Sequence, residues 1–420
     1  MDNYKKLFAF IKLFFVLTLI ISCNKIEKSD SSVIVGADLL ISENYDLIKN
    51  KTIGIVTNHT AILSNGVHLV DTLYSRNDIN IKCLFGPEHG IRGDAPDGES
   101  IKNGNDYKTG LPVYSLYGKI RKPSKVMLNE IDVLLFDIQD IGARFYTFIS
   151  TMYYTIQSAA ENKVPIIILD RPNPINGTNI DGAVLNQDFK SFVGIAQIPI
   201  RHGMTVGELA LFFNRKEILE TERIADLKIV KIKNWQRNMF FDDTKLPWIK
   251  PSPNMPDLET ALVYPGMCLL EGTNISEGRG TFSPFLNFGS PYIDSKKVIN
   301  EMNSSLLEGF ELYPITFIPE EIENMSMSPK YKNIECKGIE LKVIDRNIFN
   351  PIEFSITLIY TLNKLYPHKF TFRENWIDKL WGNSSLREFI KQGKTPLMII
   401  EEYQKKLIKF KEDRKQFLLY

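Results

Sequence analysis

Four short apolar runs, each ending in a cluster of polar residues, constrain the fold of this chain more than any other feature. The runs cover residues 52–56, 81–85, 133–136 and 165–169. Runs of this kind, bounded by turn-forming residues, predict buried strands. Open parallel sheets bind ligands outside the carboxyl ends of their strands, so the four polar clusters predict one cleft. The alternative is that the aspartate and asparagine residues cap the helices that follow.

The stretches between and after these runs predict the elements that connect a parallel sheet. Residues 147–161 have apolar positions at helical spacing, and Thr205 and Glu208 have the spacing of a capping box. A further strand is expected at residues 227–232. The alternation of strands and helices predicts βαβ units, and therefore an α/β fold with a mostly parallel sheet.

A proline-rich stretch at residues 247–256 separates this pattern from a second half with less regular helices and strands. We expect an N-terminal domain over residues 36–250 and a C-terminal α/β domain over 251–420, because 420 residues suffice for two hydrophobic cores. A loop that lines a cleft has the same composition as a connector, which leaves a second interpretation of this stretch. Residues 396–419 predict a basic amphipathic helix with a solvated charged face.

The N-terminus has the pattern of an export signal. Two lysines precede an apolar segment at residues 7–21, and Cys23 follows a small residue. The ending resembles a lipobox, so residues 1–23 are expected to be a lipoprotein signal peptide with Cys23 as the lipidation site, and 24–35 a linker. We expect an exported cell-envelope lipoprotein, periplasmic and anchored in the membrane by its lipid. The alternative, an uncleaved membrane anchor, requires a longer apolar segment.

Charge and cysteine content argue against several classes of protein. The chain has 51 basic and 50 acidic residues, so nothing indicates a surface for nucleic acid. Beyond the leader, Cys83, Cys268 and Cys336 are widely separated and odd in number, which supports neither a disulfide framework nor a zinc site. We expect no cofactor and no resident metal. The sequence does not indicate an oligomeric state.

Two loops rich in charged residues and glycine carry the candidate chemistry. The first, at residues 86–94, directly follows a predicted strand, and the second covers residues 270–281. The second lacks the lysine and the spacing of a phosphate-binding loop, and a nucleotide site is therefore not supported. The alternative for the second loop is a surface turn. The charged and amide side chains of the two loops are Glu88, His89, Arg92 and Asp94, and Glu271, Asn274, Glu277 and Arg279.

Six motifs in this order along the chain resemble the exo-β-N-acetylmuramidase family. The resemblance runs from about residue 36 to the C-terminus and implies a Rossmann-like N-terminal domain and a smaller mixed α/β C-terminal domain that enclose the active-site cleft. It also implies an exo-acting glycoside hydrolase that releases N-acetylmuramic acid from the non-reducing ends of peptidoglycan fragments, in cell-wall turnover or recycling. The motifs are GPEHGIRG at 86–93, DIQDIGARFYT at 137–147, DRPNP at 170–174, RHGMT at 201–205, PSPNMP at 251–256 and EGTNISEGRGT at 271–281.

Glycoside hydrolysis usually needs one carboxylic acid that protonates the leaving oxygen and a second group that acts as nucleophile or base. Glu88 is the candidate general acid, because His89 and an apolar strand end flank it, and His89 belongs to the same catalytic set. Glu277 or Glu271 is the expected partner, with Asp137 as a competitor. An N-acetyl sugar can instead supply its own acetamido oxygen as the nucleophile, and the second carboxylate then orients that group.

N-acetylmuramic acid carries a lactyl carboxylate, for which a bidentate arginine is the most suitable partner. About two of the four candidate arginines are expected to form structural ion pairs instead. The histidine and asparagine candidates for sugar binding have alternative roles in helix caps and turns. The arginines are Arg92, Arg144, Arg171 and Arg279, and the other candidate substrate ligands are Asp137, Tyr146, His202, Asn254 and Asn274.

Other functions fit parts of the pattern. A metal-dependent hydrolase would use His89, His202, Asp137 and Asp170, which are suitable ligand types without a compact spacing such as H-E-x-x-H. A non-catalytic envelope lipoprotein that binds sugars would have the same leader, cleft and arginines. A purely structural lipoprotein would not need charged residues in glycine-rich loops.

Overall fold

The first half of the chain forms a seven-stranded, mostly parallel sheet in the computed structural model, which describes residues 32–93, 103–303 and 307–420. The predicted signal peptide, with Cys23, and the predicted linker up to residue 31 lie outside the described residues. The strands are β1 (Thr52–Thr57), β2 (Asn80–Gly86), β3 (Gly104–Asn105), β4 (Pro112–Ser115), β5 (Val133–Asp137), β6 (Ile166–Leu169) and β7 (Leu227–Val230).

The strand order is β3-β4-β2-β1-β5-β6-β7. Every neighbouring pair is parallel except β3 and β4. Every residue of β5 and β6 is buried, as expected for central strands covered on both faces. The predicted strands and the α/β fold class are confirmed. Because β1 pairs with both β2 and β5, the strand order reverses there, and the carboxyl ends of these strands border the crevice.

Helices cover the sheet where the apolar periodicity predicts them. The helix predicted at 147–161 is observed at Phe148–Asn162, and it ends at Lys163, whose backbone is left-handed with φ of 59°. The predicted capping box is present, because the Thr205 hydroxyl accepts from the backbone N–H of Glu208 and the Glu208 side chain bonds back. The helices of this half are α1 (Gly36–Ser42), α2 (Leu69–Tyr74), α3 (Phe148–Asn162), α4 (Val206–Phe213) and α5 (Lys216–Leu219).

The second half contains a smaller, three-stranded antiparallel sheet with helices around it, as predicted. Its central strand pairs with both others, in the order β8-β10-β9 once the strands are numbered along the chain. The strands are β8 (Asn287–Ser290), β9 (Phe310–Phe317) and β10 (Cys336–Val343). The helices are α6 (Leu258–Met267), α7 (Ser295–Asn303), α8 (Pro351–Leu365), α9 (Glu374–Trp381), α10 (Ser385–Lys391) and α11 (Pro396–Asp413).

The C-terminal helix is shorter than the amphipathic pattern predicts. Helix α11 ends at Asp413, and a short 3₁₀ turn follows at Arg414–Phe417. The Arg414 guanidinium is buried and donates to the backbone oxygen of Gly177 at 3.1 Å, in the first half of the chain. The helix therefore ends where its continuation docks onto the large sheet domain.

The two halves share a hydrophobic core. A single cluster of buried side chains includes Phe136 of the large sheet and both Phe288 and Trp381 of the second half. Residues 33–420 accordingly form one compact unit. The expected boundary at residues 250 and 251 lies in irregular chain before α6 and stays a prediction.

The buried thiols are unreactive in character. Cys83, Cys268 and Cys336 are buried and free, and burial raises the pKa of Cys83 to about 12. Among the described residues, no group of three or more histidine, cysteine or acidic side chains is placed to hold a metal ion. No helix in the described part of the chain has the length and apolar character needed to cross a bilayer.

Candidate active site

A cavity of about 580 Å³ lies between the carboxyl ends of the large sheet and the loops of the second half. Its lining includes Glu88 and His89, which follow β2, and the segment Phe145 to Phe148, which precedes and begins α3. The second half contributes Glu271 and Arg279. A cavity of several hundred Å³ with few polar groups is typical of a small-molecule site.

Glu88 is positioned by a tight turn and by a threonine at the start of α3. Thr147 immediately precedes α3 and its side chain makes no capping bond within the helix. Its hydroxyl instead donates to Oε2 of Glu88 at 2.8 Å. The bond fixes one carboxyl oxygen, so the rotation of the carboxyl group and the direction of the second oxygen are also fixed.

His89 lies beside Glu88 in a conformation that few residues other than glycine adopt. Its φ is 69°, and only 3% of the residue is exposed. The turn is closed by a hydrogen bond from the backbone N–H of Gly90 to the backbone oxygen of Pro87 at 3.0 Å. Backbone strain of this kind concentrates at functional sites, and here it aims two adjacent polar side chains into one cavity.

Glu271 and Arg279 form the polar part of the opposite wall. Arg279 Nη2 lies 3.1 Å from Glu271 Oε1, and the Trp376 indole N–H donates to Glu271 Oε2 at 3.4 Å. Both carboxylate oxygens of Glu271 therefore have a donor. Arg279 lines the cavity, where its guanidinium can meet an anionic ligand.

Glu277 lies behind this wall and does not line the cavity. It is 4% exposed, and its Oε2 lies 2.9 Å from the Lys330 ammonium. Its Oε1 is 3.8 Å from Arg279 Nε, so it supports the arginine from the side away from Glu271. The structure places Glu277 beside two cations and outside the cavity lining, and its predicted catalytic role stays a prediction.

Aromatic rings form much of the remaining wall. Tyr264 of α6 makes edge contacts with Phe285 at 4.8 Å, with Phe145 at 5.4 Å and with Tyr146 at 6.0 Å between ring centroids. Tyr146 and Asn254 line the cavity, and their role as substrate ligands stays a prediction. The Asn254 side-chain amide also donates to the backbone oxygen of Met325 at 2.8 Å, which ties a loop of the second half to the cavity.

Arg144 is not a substrate ligand in this structure. Its side chain is fully buried, and its guanidinium donates to the backbone oxygens of Ala183, Ile198 at 2.9 Å and Leu380 at 2.7 Å. Burial lowers the pKa of Arg144 to about 9. We correct its role to a structural one, because it joins the two halves of the chain by satisfying three carbonyl groups.

Arg92 also lies away from the cavity. Its guanidinium pairs with Asp71 and Asp106, each at 2.8 Å. These bonds hold the pKa of Asp106 at about 2, well below its usual value. The Arg92 guanidinium is thus held by two carboxylates. We infer that Arg92 stabilises the turn that carries Glu88.

Three more predicted substrate ligands lie in buried side-chain pairs at the strand ends. Arg171 Nη2 donates to Asp137 Oδ2 at 2.9 Å, and Asp137 is fully buried. His202 is also fully buried, with Nε2 at 3.2 Å from Asp140 Oδ2. None of Asp137, Arg171 and His202 lines the cavity, so their predicted contacts with substrate are corrected to structural pairs that fix the strand-end loops.

Asn274 is likewise structural. Its side-chain oxygen accepts from the Tyr292 hydroxyl at 2.9 Å and the Thr371 backbone N–H at 3.0 Å, and its amide donates to Lys369. Asn274 therefore joins the loop at 270–281 to the segment before α9 by hydrogen bonds. We correct its predicted sugar-binding role to this structural one. All its hydrogen-bonding groups face protein.

The candidate ligands of the alternative metal-dependent hydrolase bind other protein groups instead of converging on one point. Asp170 accepts from the Thr205 hydroxyl at 2.9 Å, the Gly207 N–H at 2.7 Å and the Tyr420 hydroxyl at 2.7 Å, inside the fold. Burial raises the pKa of Asp170 to about 7. Its oxygens are used to tie the chain terminus to the sheet.

Several residues of the cavity are not evident from the sequence. Thr147 and the aromatic residues Tyr117, Tyr264, Phe285 and Trp376 all contact the site. A threonine before a helix predicts a cap, and aromatic residues in amphipathic helices predict core packing. Only the position of Thr147 at a strand-end loop, within the same motif as Asp137, could have suggested a role.

Comparisons with known proteins agree with this architecture. The family model for the N-terminal part of exo-β-N-acetylmuramidase NamZ matches residues 53–259, and the model for its C-terminal part matches residues 262–420. The peptidoglycan β-N-acetylmuramidase NamZ of Bacillus subtilis is 44% identical over 386 residues, which cover 92% of this chain and 91% of that protein.

Two crystal structures of DUF1343 family proteins from Bacteroides fragilis resemble the whole fold. One has a TM-score of 0.84 and 33% identity, and the other a TM-score of 0.75 and 35% identity. Each comparison covers 93% of this chain and 99% of the other. On the combined matches of both family models and the Bacillus relative, the chain belongs to the exo-β-N-acetylmuramidase family.

Proposed function

We propose that this protein is an exo-acting glycoside hydrolase that releases N-acetylmuramic acid from the non-reducing ends of peptidoglycan fragments. The observation that carries the proposal is the cavity in which Glu88 from one half of the chain shares walls with Glu271 and Arg279 from the other. Two carboxyl groups and a cation are the set that hydrolysis of an anionic sugar needs. The curated relative bears the name of the same activity.

Glu88 acts as the general acid in this proposal. Oε2 accepts a hydrogen bond from Thr147, so we place the proton that passes to the glycosidic oxygen on Oε1. A positioned acid contributes about 100-fold or more to such a reaction. His89, in the same turn, is placed to contact the leaving group or Glu88 as the proton moves.

Glu271 supplies the second carboxylate, and Arg279 binds the lactyl carboxylate of N-acetylmuramic acid. The Glu271 oxygens are oriented by Arg279 and by Trp376, so the carboxylate faces the cavity in one direction. The Arg279 side chain is 24% exposed and lines the cavity. A charged, bidentate donor distinguishes a muramic acid from a glucosamine, which lacks that carboxylate.

The aromatic wall stacks against the sugar. Tyr264 and Phe285 contact one another by an edge, and Trp376 completes the lining near Glu271. Rings at the wall of a polar cavity bury the apolar faces of a sugar while the polar groups bind its hydroxyls. Asn254 and Tyr146 are among the lining side chains with polar groups for those hydroxyls.

We also propose that the protein is exported and anchored by lipid at Cys23. The support is the basic, apolar and small-residue pattern of residues 1–23. Periplasmic placement would give the enzyme access to its glycan. Labelling of cells with a fatty-acid analogue should mark the wild-type protein and not a Cys23→Ser variant, whereas equal labelling of both would contradict lipidation at this residue.

The activity is tested by release of N-acetylmuramic acid from a chromogenic muramide, beside the matching glucosaminide, with protein that lacks the predicted leader. The proposal predicts turnover of the muramide, much slower turnover of the glucosaminide, and no effect of a chelator. Binding of the muramide without turnover would instead favour the sugar-binding lipoprotein. Loss of turnover with chelator would favour a metal-dependent hydrolase.

A further inference from the structure

A series of side chains in contact leads outward from the cavity in the first half of the chain. Tyr117 and Val193 line the cavity. The ring centroids of Tyr117 and Phe192 are 6.0 Å apart, and the guanidinium carbon of Arg121 lies 4.5 Å from the Phe192 centroid. Arg121 is exposed, and it therefore presents its charge beside the cavity and outside it.

Phe192 is a rigid support for this arginine. Ser191 and Gly194 exchange backbone hydrogen bonds at 3.0 and 3.1 Å, which closes a turn with Phe192 near its tip. The Ser150 hydroxyl of α3 donates to the Phe192 backbone oxygen at 2.7 Å. The Tyr154 ring is nearly parallel to Phe192, at 13° and 6.3 Å. A guanidinium on such a support loses little freedom when it binds a ligand.

The charge of Arg121 is not used within the described part of the chain. Its only interaction there is with the face of Phe192. By contrast, Arg279 pairs with Glu271, and Arg144 binds three carbonyl groups. An arginine that lies over an aromatic ring still carries paired N–H donors that match a carboxylate.

The neighbouring residues strengthen the positive potential. Lys119, Lys122 and Lys125 lie in the same segment as Arg121. Among the described residues, only Lys122 of these three has an ion-pair partner, Glu161 at 2.8 Å. The chain as a whole carries a net charge of only +1, so this segment is a local concentration of cations that attracts anionic ligands.

We propose that Arg121, supported by Phe192, is a subsite for a carboxylate on the glycan beyond the sugar that is released. This inference rests on the proposed function. Arg121 is two side chains removed from the cavity interior, which places it outside the position of the terminal sugar and beside the glycan that leaves. In peptidoglycan that carboxylate belongs to the next muramic acid, on its lactyl group or on the peptide attached to it.

The test compares two peptide-free substrates, the disaccharide MurNAc-GlcNAc and the trisaccharide MurNAc-GlcNAc-MurNAc. Only the trisaccharide has a carboxylate on the leaving portion. We expect Arg121→Gln to raise KM for the trisaccharide by about 5- to 10-fold, to leave KM for the disaccharide unchanged, and to leave kcat unchanged for both. The difference should decrease at high salt, because the contact is exposed.

Lys122→Gln is the matched control, because it removes the same charge from the same segment at a residue already paired with Glu161. It should not discriminate between the two substrates. The same variants are also assayed with a trisaccharide that bears a stem peptide. A rise in KM for this substrate alone would support the subsite and show that the bound carboxylate belongs to the peptide.

Equal effects of Arg121→Gln on disaccharide and trisaccharides, or no effect on any of them, would overturn the subsite and leave the proposed function intact. Failure of the wild-type protein to hydrolyse any of these substrates would instead overturn the proposed function, and the subsite with it.

Discussion

The two walls of the cavity hold their charged groups in different ways. On the first wall, the backbone turn after β2 and one hydroxyl from Thr147 orient Glu88. On the second, Glu271, Arg279 and Glu277 share charge in one network. A change on the first wall should therefore affect one step, whereas a change on the second should affect several neighbours together.

The largest effect is expected at Glu88. Glu88→Gln keeps the shape of the side chain and removes the transferable proton, so kcat for MurNAc-GlcNAc should fall by about 100-fold or more with little change in melting temperature. Steady-state rates and thermal unfolding of the purified variant measure both. Retention of more than about a tenth of the rate would contradict the assignment.

The next largest effect is a difference in stability between variants of Arg144 and Arg279, two arginines with the same predicted role. Arg144→Met leaves three buried carbonyl groups without their donor, so it should lower the free energy of unfolding by about 2–4 kcal/mol. Arg279→Met, at a partly exposed side chain, should cost about 1 kcal/mol or less. Denaturant unfolding of both variants gives the comparison, and equal losses would contradict the structural assignment of Arg144.

A smaller effect is expected on substrate selectivity. Arg279→Gln removes the proposed partner of the lactyl carboxylate and one donor that orients Glu271. It should therefore lower kcat for both substrates and raise KM by about 10-fold for the muramide only. The measurement is the ratio of kcat/KM for the two chromogenic substrates. Glu277→Gln should move the same ratio in the same direction by a smaller factor, because Glu277 acts through Arg279. An unchanged ratio in Arg279→Gln would place the lactyl group elsewhere.

The smallest effect is expected at the hydroxyl that orients Glu88. Thr147→Val keeps the shape of the side chain and removes the donor to Oε2, so kcat should fall by about 5-fold. Thr147→Ser retains the hydroxyl and should restore most of the rate. If the valine and serine variants were equally slow, the loss would come from packing at the start of α3 and not from the hydrogen bond.

The fold and the first wall could be predicted from the sequence because both depend on local patterns. Short apolar runs with turn formers predict the strands, and a strand end fixes where Glu88 and His89 lie. The second half is harder to predict from the sequence, because the ends of its helices and strands depend on contacts with distant residues. Helix α11 stops at Asp413 because Arg414 binds a carbonyl group more than 200 positions earlier in the chain.

The candidate arginines show the limit of sequence reasoning at the site. Arg92, Arg144, Arg171 and Arg279 all lie in loops with glycine or proline, and their spacing does not tell which ones face solvent. Contacts in the folded chain determine which arginines face the cavity. Arg92 and Arg171 pair with carboxylates, and Arg144 donates to backbone carbonyl groups. Only Arg279 among them lines the cavity.

Proton donation by Glu88 is best tested by the dependence of the Glu88→Gln defect on the leaving group. A general acid is needed for a sugar leaving group, which requires a proton, and far less for a nitrophenolate, which leaves without one. If Glu88 is the general acid, Glu88→Gln should lose at least about 10-fold more kcat/KM on MurNAc-GlcNAc than on 4-nitrophenyl N-acetylmuramide. Equal losses on both substrates would contradict proton donation by Glu88 and assign it a different role in the cavity.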